Sequence, residues 1–236
     1  MLRVFVRSAS LNHDRRDYRS ALPALRGIDD ITFTAPVTFF VGENGSGKST
    51  LVEAIAVAAG FNAEGGSKNF QFETVRREDD DGAPRFVRLV RNPRRESDGY
   101  FLRAESFFNV ATEIDRLEVT RGYGGRSLHA QSHGEAFMAL LLNRLHGDGL
   151  YIFDEPEAAL SPMRQLAMLV RIHDLVRAGS QFIIATHSPI LMAYPGATIL
   201  LLEEGIREVK YEETEHYLVT RDFLNHRERM FRQLFS

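Results

Sequence analysis

The sequence of 236 residues contains no cysteine. That removes disulfides and thiolate metal sites and fits a reducing compartment, so a cytoplasmic protein is expected. No stretch is long and apolar enough to span a bilayer, because polar residues or proline interrupt the richest runs within a turn or two. The opening MLRVFVRSASLNHDRRDYRS lacks the continuous apolar core of a signal peptide. Charge of one sign is also lacking: 29 Lys and Arg face 32 Asp and Glu, a net of −3, so nothing drives the whole chain towards nucleic acid and any basic surface has to be local. Internal repeats, low-complexity segments and heptad runs long enough for coiled-coil arms are absent. What remains is the composition of a soluble globular protein, 44% hydrophobic and 26% charged, able to bury a core in one large domain or two small ones.

Against that background residues 37–50, VTFFVGENGSGKST, stand out. An apolar run leads into a glycine turn, then Lys48, Ser49 and Thr50, then an apolar-rich helical pattern. Gly42, Gly47, Lys48 and Ser49 satisfy G-x-x-x-x-G-K-[ST], the phosphate-binding loop between a strand and a helix. Glycine allows positive φ, which turns backbone N–H groups inward, and the helix N-terminus completes an anion site. Lys48 would reach the β- and γ-phosphates and the Ser49 hydroxyl would take a Mg²⁺ position. The plain alternative is a glycine turn without a ligand.

Along the chain, strand-like segments are expected at Leu2–Val6, Ile28–Phe33, Val37–Val41, Tyr100–Ala104, Leu150–Phe153 and Gln181–Thr186. A hairpin is expected from Ala197–Leu202 and Ile206–Tyr211 across Glu203–Gly205. Helical patterns cover Lys48–Ala59, with Gly60 as C-cap, part of Ser106–Ile114, Gly134–His146, Pro162–Ala178 capped by Ser161 and Gly179, and a last stretch from a Thr220 cap to Leu234. Asn12–Ser20 and Gly122–Ser127 read as connectors, and 61–100 as a short hairpin region with exposed loops. Alternating strands and helices predict an α/β core with a largely parallel sheet, whose ligands bind at the carboxyl ends of strands. Residues 42–50, 154–155 and 186–188 all fall at such ends.

The second of these, LYIFDE, is an apolar strand ending in two carboxylates. Asp154 is placed to hold Mg²⁺, directly or through water, and Glu155 to polarise a water for attack on a γ-phosphate. The third, IIATHS, puts His187 where it would donate a hydrogen bond to that phosphate. A fourth, QSHGE, opens a helix with Ser132 and Gly134 in an anion-binding arrangement. A chain that already has one phosphate loop does not need a second for the same nucleotide, so this site would serve a nucleotide held by another subunit.

In this order the motifs resemble the ABC-type ATPase superfamily. DEPEAALSP, fitting D-E-P-E-x-x-L-x-P, is similar to the branch with SMC/Rad50-like, RecF-like and OLD-like "AAA family" ATPases rather than to typical transporter subunits. FLRAESFFN and QSHGEAF resemble a small group of stand-alone bacterial ATPases, and the likeness spans essentially the whole chain. The resemblance implies a P-loop NTPase of α/β class: an ABC-ATPase head as a single domain over 1–236. It would carry antiparallel portions at about 1–36 and 61–104, a signature-bearing helical segment at about 105–147, and a C-terminal hairpin and helix at about 197–236. It further implies ATP held between two head-to-tail protomers, as a homodimer formed on ATP binding, without membrane insertion. Gly42, Glu43, Asn44, Gly45, Ser46, Gly47, Lys48, Ser49 and Thr50 would hold phosphates in cis, and Ser132 and Gly134 would contact the γ-phosphate in trans. Asp154 would organise Mg²⁺, Glu155 would be the catalytic base, His187 the switch histidine, and Ala159, Leu160 and Ser161 the D-loop at the dimer interface. Glu105 follows the strand that carries a Gln in the family and would reach the metal as a carboxylate. His133 stands where the family has a glycine, and Tyr18 is the candidate for stacking on adenine.

Other signals have two readings. His129 and His133, four apart with Glu135 nearby, would suit a metal or belong to the signature. Arg85, Arg88, Arg91, Arg94 and Arg95 would form a nucleic-acid strip or a charged edge strand, with Glu78–Asp81 neutralising part of it. The basic residues Arg221, Arg227, Arg229 and Arg232 would dock a partner or face water. His146, His173 and His226 read as structural, His173 as buried or half-buried on the stripe of Leu166, Leu169, Val170 and Val176. The function that follows is an ATPase driving or timing a conformational change on a partner. The alternatives are a nucleotide-gated clamp on DNA, or in repair or defence, with slow turnover, and the ATP-binding subunit of a membrane transporter.

Overall fold

A computed structural model describes residues 4–12, 22–68, 86–117 and 119–236. Its centre is β3 (Val37–Val41), all five residues of which are buried. Side chains on a strand alternate between faces. Val37, Phe39 and Val41 therefore enter one core and Phe40 the other. Burial on both faces is the normal state of a parallel strand covered by helices. The sheet runs β5 (Asp98–Arg103), β6 (Gly149–Asp154), β7 (Gln181–Ala185), β3, β8 (Thr198–Glu203), β9 (Gly205–Val209). Its first five strands are parallel and β9 closes it antiparallel, in the expected hairpin with β8.

One face carries α2 (Phe107–Arg116), α3 (His133–Asn143), α4 (Pro162–Arg177) and the short α5 (Pro189–Met192). Phe137, Leu140, Met168, Ile172 and Leu191 from these helices pack on Tyr151, Phe153, Phe182 and Ile184. The other face carries α1 (Lys48–Ala59) and a separate antiparallel sheet, β2 (Asp30–Thr32), β1 (Val6–Leu11), β4 (Val87–Arg91). There Leu51, Val52, Ile55 and Ala56 meet Ile152, Ile183 and Leu202, with Val6 and Ala9 beyond. The two sheets are joined by Gln181, which is fully buried. Its Oε1 accepts from the N–H groups of Phe5 at 2.7 Å and Val6 at 2.9 Å, and its Nε2 donates to the Val6 carbonyl at 3.0 Å. Among the described residues no helix is long and apolar enough to cross a membrane.

Several local expectations are corrected. The first strand occupies Val6–Leu11 rather than Leu2–Val6, and residues 2–3, with Tyr18, lie outside the described residues. β4 and β5 do not form a hairpin, because β4 pairs with β1 while β5 lies parallel to β6, placing 98–103 in the main sheet and not in an antiparallel portion. The reason is burial: β5 shows four consecutive buried residues, which suits the two-sided core. Helix α3 ends at Asn143, three residues early, and α6 (Glu215–Leu234) begins at a Thr214 cap, not Thr220, with a break in helical geometry at His226. Ser161 occupies the N-cap of α4 without a side-chain capping bond. His173 is exposed and meets the Tyr194 hydroxyl at 3.3 Å, because Leu166 and Val170 of its stripe also face outward.

Candidate nucleotide site

The strand order sets the site. In β6-β7-β3 three neighbouring parallel strands end side by side. After β3 comes the glycine loop, after β6 Asp154 and Glu155, and after β7 His187. In the loop Gly42 has φ 147° and a side chain there would lie 2.4 Å from the Leu202 carbonyl; Gly47, with φ 97°, is the N-cap of α1. Lys48 is 4% exposed. Its Nζ donates to the carbonyls of Gly42 at 3.0 Å and Glu43 at 2.8 Å, folding the side chain back over the loop. Burial lowers its pKa, against the opposing pull of Glu155, Asp154 and Glu157.

Asp154 is buried, and burial raises its pKa to about 6, although the Ser49 hydroxyl hydrogen-bonds it and Arg103 is near. Its Oδ1 is buried without a partner, as is the Ser46 hydroxyl. A buried carboxylate with an unused oxygen beside a serine hydroxyl is a donor set that fits Mg²⁺, a cation that keeps few protein ligands and takes the rest from phosphate and water. Glu105 faces water: its side chain is 83% exposed and pairs with Arg103 at 3.3 Å. Arg103 also holds Glu53 at 2.8 Å and stands 3.8 Å from Asp154, so one guanidinium bridges all three carboxylates.

Glu155 adopts φ 50° and ψ 51°, a left-handed conformation that is uncommon outside glycine. Its carboxylate lies 3.5 Å from His187 Nε2. The backbone N–H of His187 donates to Glu157 at 2.5 Å, and burial raises the pKa of Glu157. His187 Nδ1 meets His216 Nε2, from the start of α6, at 2.9 Å. Burial, then the charge of Lys48, lowers the pKa of His187. The segment after β6 is tied to the one after β7: Ser188 donates to Gln165 Oε1 at 2.5 Å, and Gln165 Nε2 donates to the Leu160 carbonyl at 3.0 Å.

Ser132 and Gly134 form the N-terminus of α3. Ser132 caps its own helix: its hydroxyl donates to Glu135 at 2.7 Å and accepts from the Glu135 N–H at 3.4 Å. Gly134 is packed so closely that a side chain would meet the Arg164 guanidinium at 2.1 Å and the Ala159 carbonyl at 3.0 Å, which sets the α3 N-terminus against Ala159 and Arg164. His133 is exposed, with its ring edge-on to Phe108 at 4.4 Å, and His129 stacks on the same ring. Among the described residues no three His, Asp or Glu are arranged to hold a metal, so His129, His133 and Glu135 do not assemble a centre of their own. Of the arginine strip, Arg91 pairs with Glu96 at 2.9 Å and Arg94 with Asp148 at 2.6 Å; Arg85 and 78–81 lie outside the described residues.

Glu157, Arg103, Glu53, Gln165 and His216 were not anticipated. Glu157 belongs to the DEPE run and was open to discovery there. The others come together only in three dimensions.

An AAA-domain family model matches residues 20–125, and a second AAA-domain model, tied by its description to AbiEii and type IV toxin–antitoxin systems, matches 135–193. A hemin import ATP-binding protein of Streptomyces coelicolor is 30% identical over 203 residues, 78% of this chain and 70% of that protein. Among solved structures, an ABC transporter component, cbiO1 of Clostridium perfringens, superposes with a TM-score of 0.54 at 18% identity, over 99% of this chain and 100% of that one. The SMC head domain of Thermotoga maritima gives 0.47 at 16% identity, over 88% of this chain and 100% of that one.

Proposed function

This chain belongs to the ABC-type/AAA ATPase superfamily, and on that premise we propose that it binds ATP and hydrolyses it between two head-to-tail copies, driving or timing a conformational change on a partner. The observation that carries the reading is the convergence of Lys48, Asp154, Glu155 and His187 at the adjoining carboxyl ends of β3, β6 and β7. The loop N–H groups and Lys48, which must release its two carbonyls, would take the phosphates. Ser49 and Asp154 would hold Mg²⁺, with Glu105 at the margin, and the ion would neutralise phosphate charge. Glu155 would accept a proton from the attacking water, and His187 would donate to a γ-phosphate oxygen.

Ser132 and His133 are exposed at the N-terminus of α3, while α1, the helix that follows the phosphate loop of the same copy, packs on the opposite face of the sheet from α3. Such an N-terminus suits a phosphate presented by a second copy. Glu155→Gln keeps the shape of the side chain but removes the base. With ATP and Mg²⁺ this variant should run as a dimer in size-exclusion chromatography with light scattering, and as a monomer without nucleotide. A variant that stays monomeric with ATP refutes the sandwich.

The likeness to a hemin import ATP-binding protein favours one other reading, an ATP-binding subunit for a membrane transporter. Co-purification with a membrane protein distinguishes it. A clamp on DNA has less support, since carboxylates already pair Arg91 and Arg94. ATPase stimulation by DNA would revive it.

A further inference from the structure

The two ring nitrogens of His187 face different partners. Nδ1 lies 2.9 Å from His216 Nε2, and Nε2 lies 3.5 Å from Glu155 Oε1. A neutral imidazole has one nitrogen that donates and one that accepts. Burial lowers the pKa of both rings, so both are neutral near pH 7. A carboxylate only accepts, so the proton of His187 belongs on Nε2. Nδ1 is then bare, and the hydrogen between the rings comes from His216 Nε2. The reverse tautomer would set a lone pair against the Glu155 carboxylate. We propose that His216 is a positioning residue that locks His187 in its Nε2–H tautomer, and so supplies the site with the one N–H that His187 can offer there.

Two further observations agree. The His187 Nε2 atom is buried, and its approach to Glu155 is too long for a full hydrogen bond, so its donor is left for something else. Other atoms of His187 line a cleft of about 480 Å³, together with Glu43 and Asn44 of the glycine loop and Glu215, His216, Val219 and Thr220 of α6. His216 owes its place to an anchor just before it. The Tyr211 hydroxyl donates to the Pro189 carbonyl at 2.9 Å, two residues from His187, and the Tyr211 ring packs on Tyr217. The start of α6 is thereby held beside the end of β7, although no residue of that helix is fully buried.

The inference rests on the proposed ATPase reading for what the N–H is aimed at, but not for the tautomer. Nitrogen NMR of the histidine rings in nucleotide-free protein reads the tautomer directly. The expected wild-type result is a protonated Nε2 and a bare Nδ1 on His187, and His216→Leu should give a mixture of tautomers. In steady-state assays His216→Leu should lower kcat about tenfold with KM for ATP within about twofold, the usual scale for losing a residue that orients a functional histidine. His216→Gln, whose amide N–H can donate in the same place, should recover most of that loss. A protonated Nδ1 in the wild type overturns the proposal, as does a kcat untouched by His216→Leu or a His216→Gln no better than the leucine variant. A wild type that hydrolyses no ATP refutes the ATPase reading, and the NMR result then decides the tautomer alone.

Discussion

Replacing Gln181 with leucine should cost the fold about 3 kcal/mol, a figure that follows from three hydrogen bonds. The carboxamide is the partner of the Phe5 N–H, the Val6 N–H and the Val6 carbonyl, at 2.7, 2.9 and 3.0 Å, in a place of zero exposure. Each backbone group left unpaired in the interior costs about 1–3 kcal/mol. Three of them give about 3–9 kcal/mol, and burying a leucine of similar volume returns about 1.5–3 kcal/mol. The lower part of the range is expected, because the start of β1 can shift to admit water. For a chain of this length about 2–4 °C is lost per kcal/mol, so Tm should fall by about 6–12 °C. Hydrogen exchange localises the effect. The Phe5 and Val6 amides should lose about a hundredfold of protection while those of β3 follow only the global change. A Tm within about 1 °C of wild type, with both amides still protected, would refute the reasoning.

Two other variants report on the site. The pKa of Asp154 is raised from 3.8 to about 6 by burial, so the folded state holds a proton that the unfolded chain releases, and stability is lost as pH rises through that window. In EDTA, Asp154→Asn should therefore stabilise the protein by up to about 3 kcal/mol at pH 7.5 and by about half as much at pH 5, measured by denaturant titration; an equal gain at both would exclude charge as the cause. Gly134→Ala places a methyl 3.0 Å from the Ala159 carbonyl, with the Arg164 guanidinium able to swing aside and the backbone not. It should cost about 1 kcal/mol and weaken the ATP-dependent dimer of Glu155→Gln, and an unchanged dimer fraction in light scattering would count against residues 132–134 as the second half of the site.

The glycine loop was legible because its chemistry is local. A tight turn between a buried strand and a helix needs glycine at fixed offsets, and Lys48–Ala59 begins and ends at the glycines that demand it. Carboxyl ends of parallel strands were legible for a related reason: an apolar run followed by Asp154 or His187 marks where a buried strand ends. Pairing was not legible. The apolar run of β5 tells that the strand is buried but not that β6 lies beside it, and the stripe of α4 continues past the edge of the core, leaving His173 in water. Contacts such as Arg103 with Glu53, or His187 with His216, join residues that no spacing rule connects.

The left-handed backbone of Glu155 has a consequence for anyone engineering this chain. A side chain in that conformation is disfavoured by about 1–2 kcal/mol, a strain that glycine would not feel. If Glu155 is the base proposed above, position 155 is one where durability and turnover are selected in opposite directions. A screen for heat resistance alone would enrich glycine there and return robust proteins that have lost the residue proposed to activate water. Directed evolution of this scaffold needs a growth or turnover filter at every round, and natural copies carrying glycine at this position would be stable folds retired from hydrolysis.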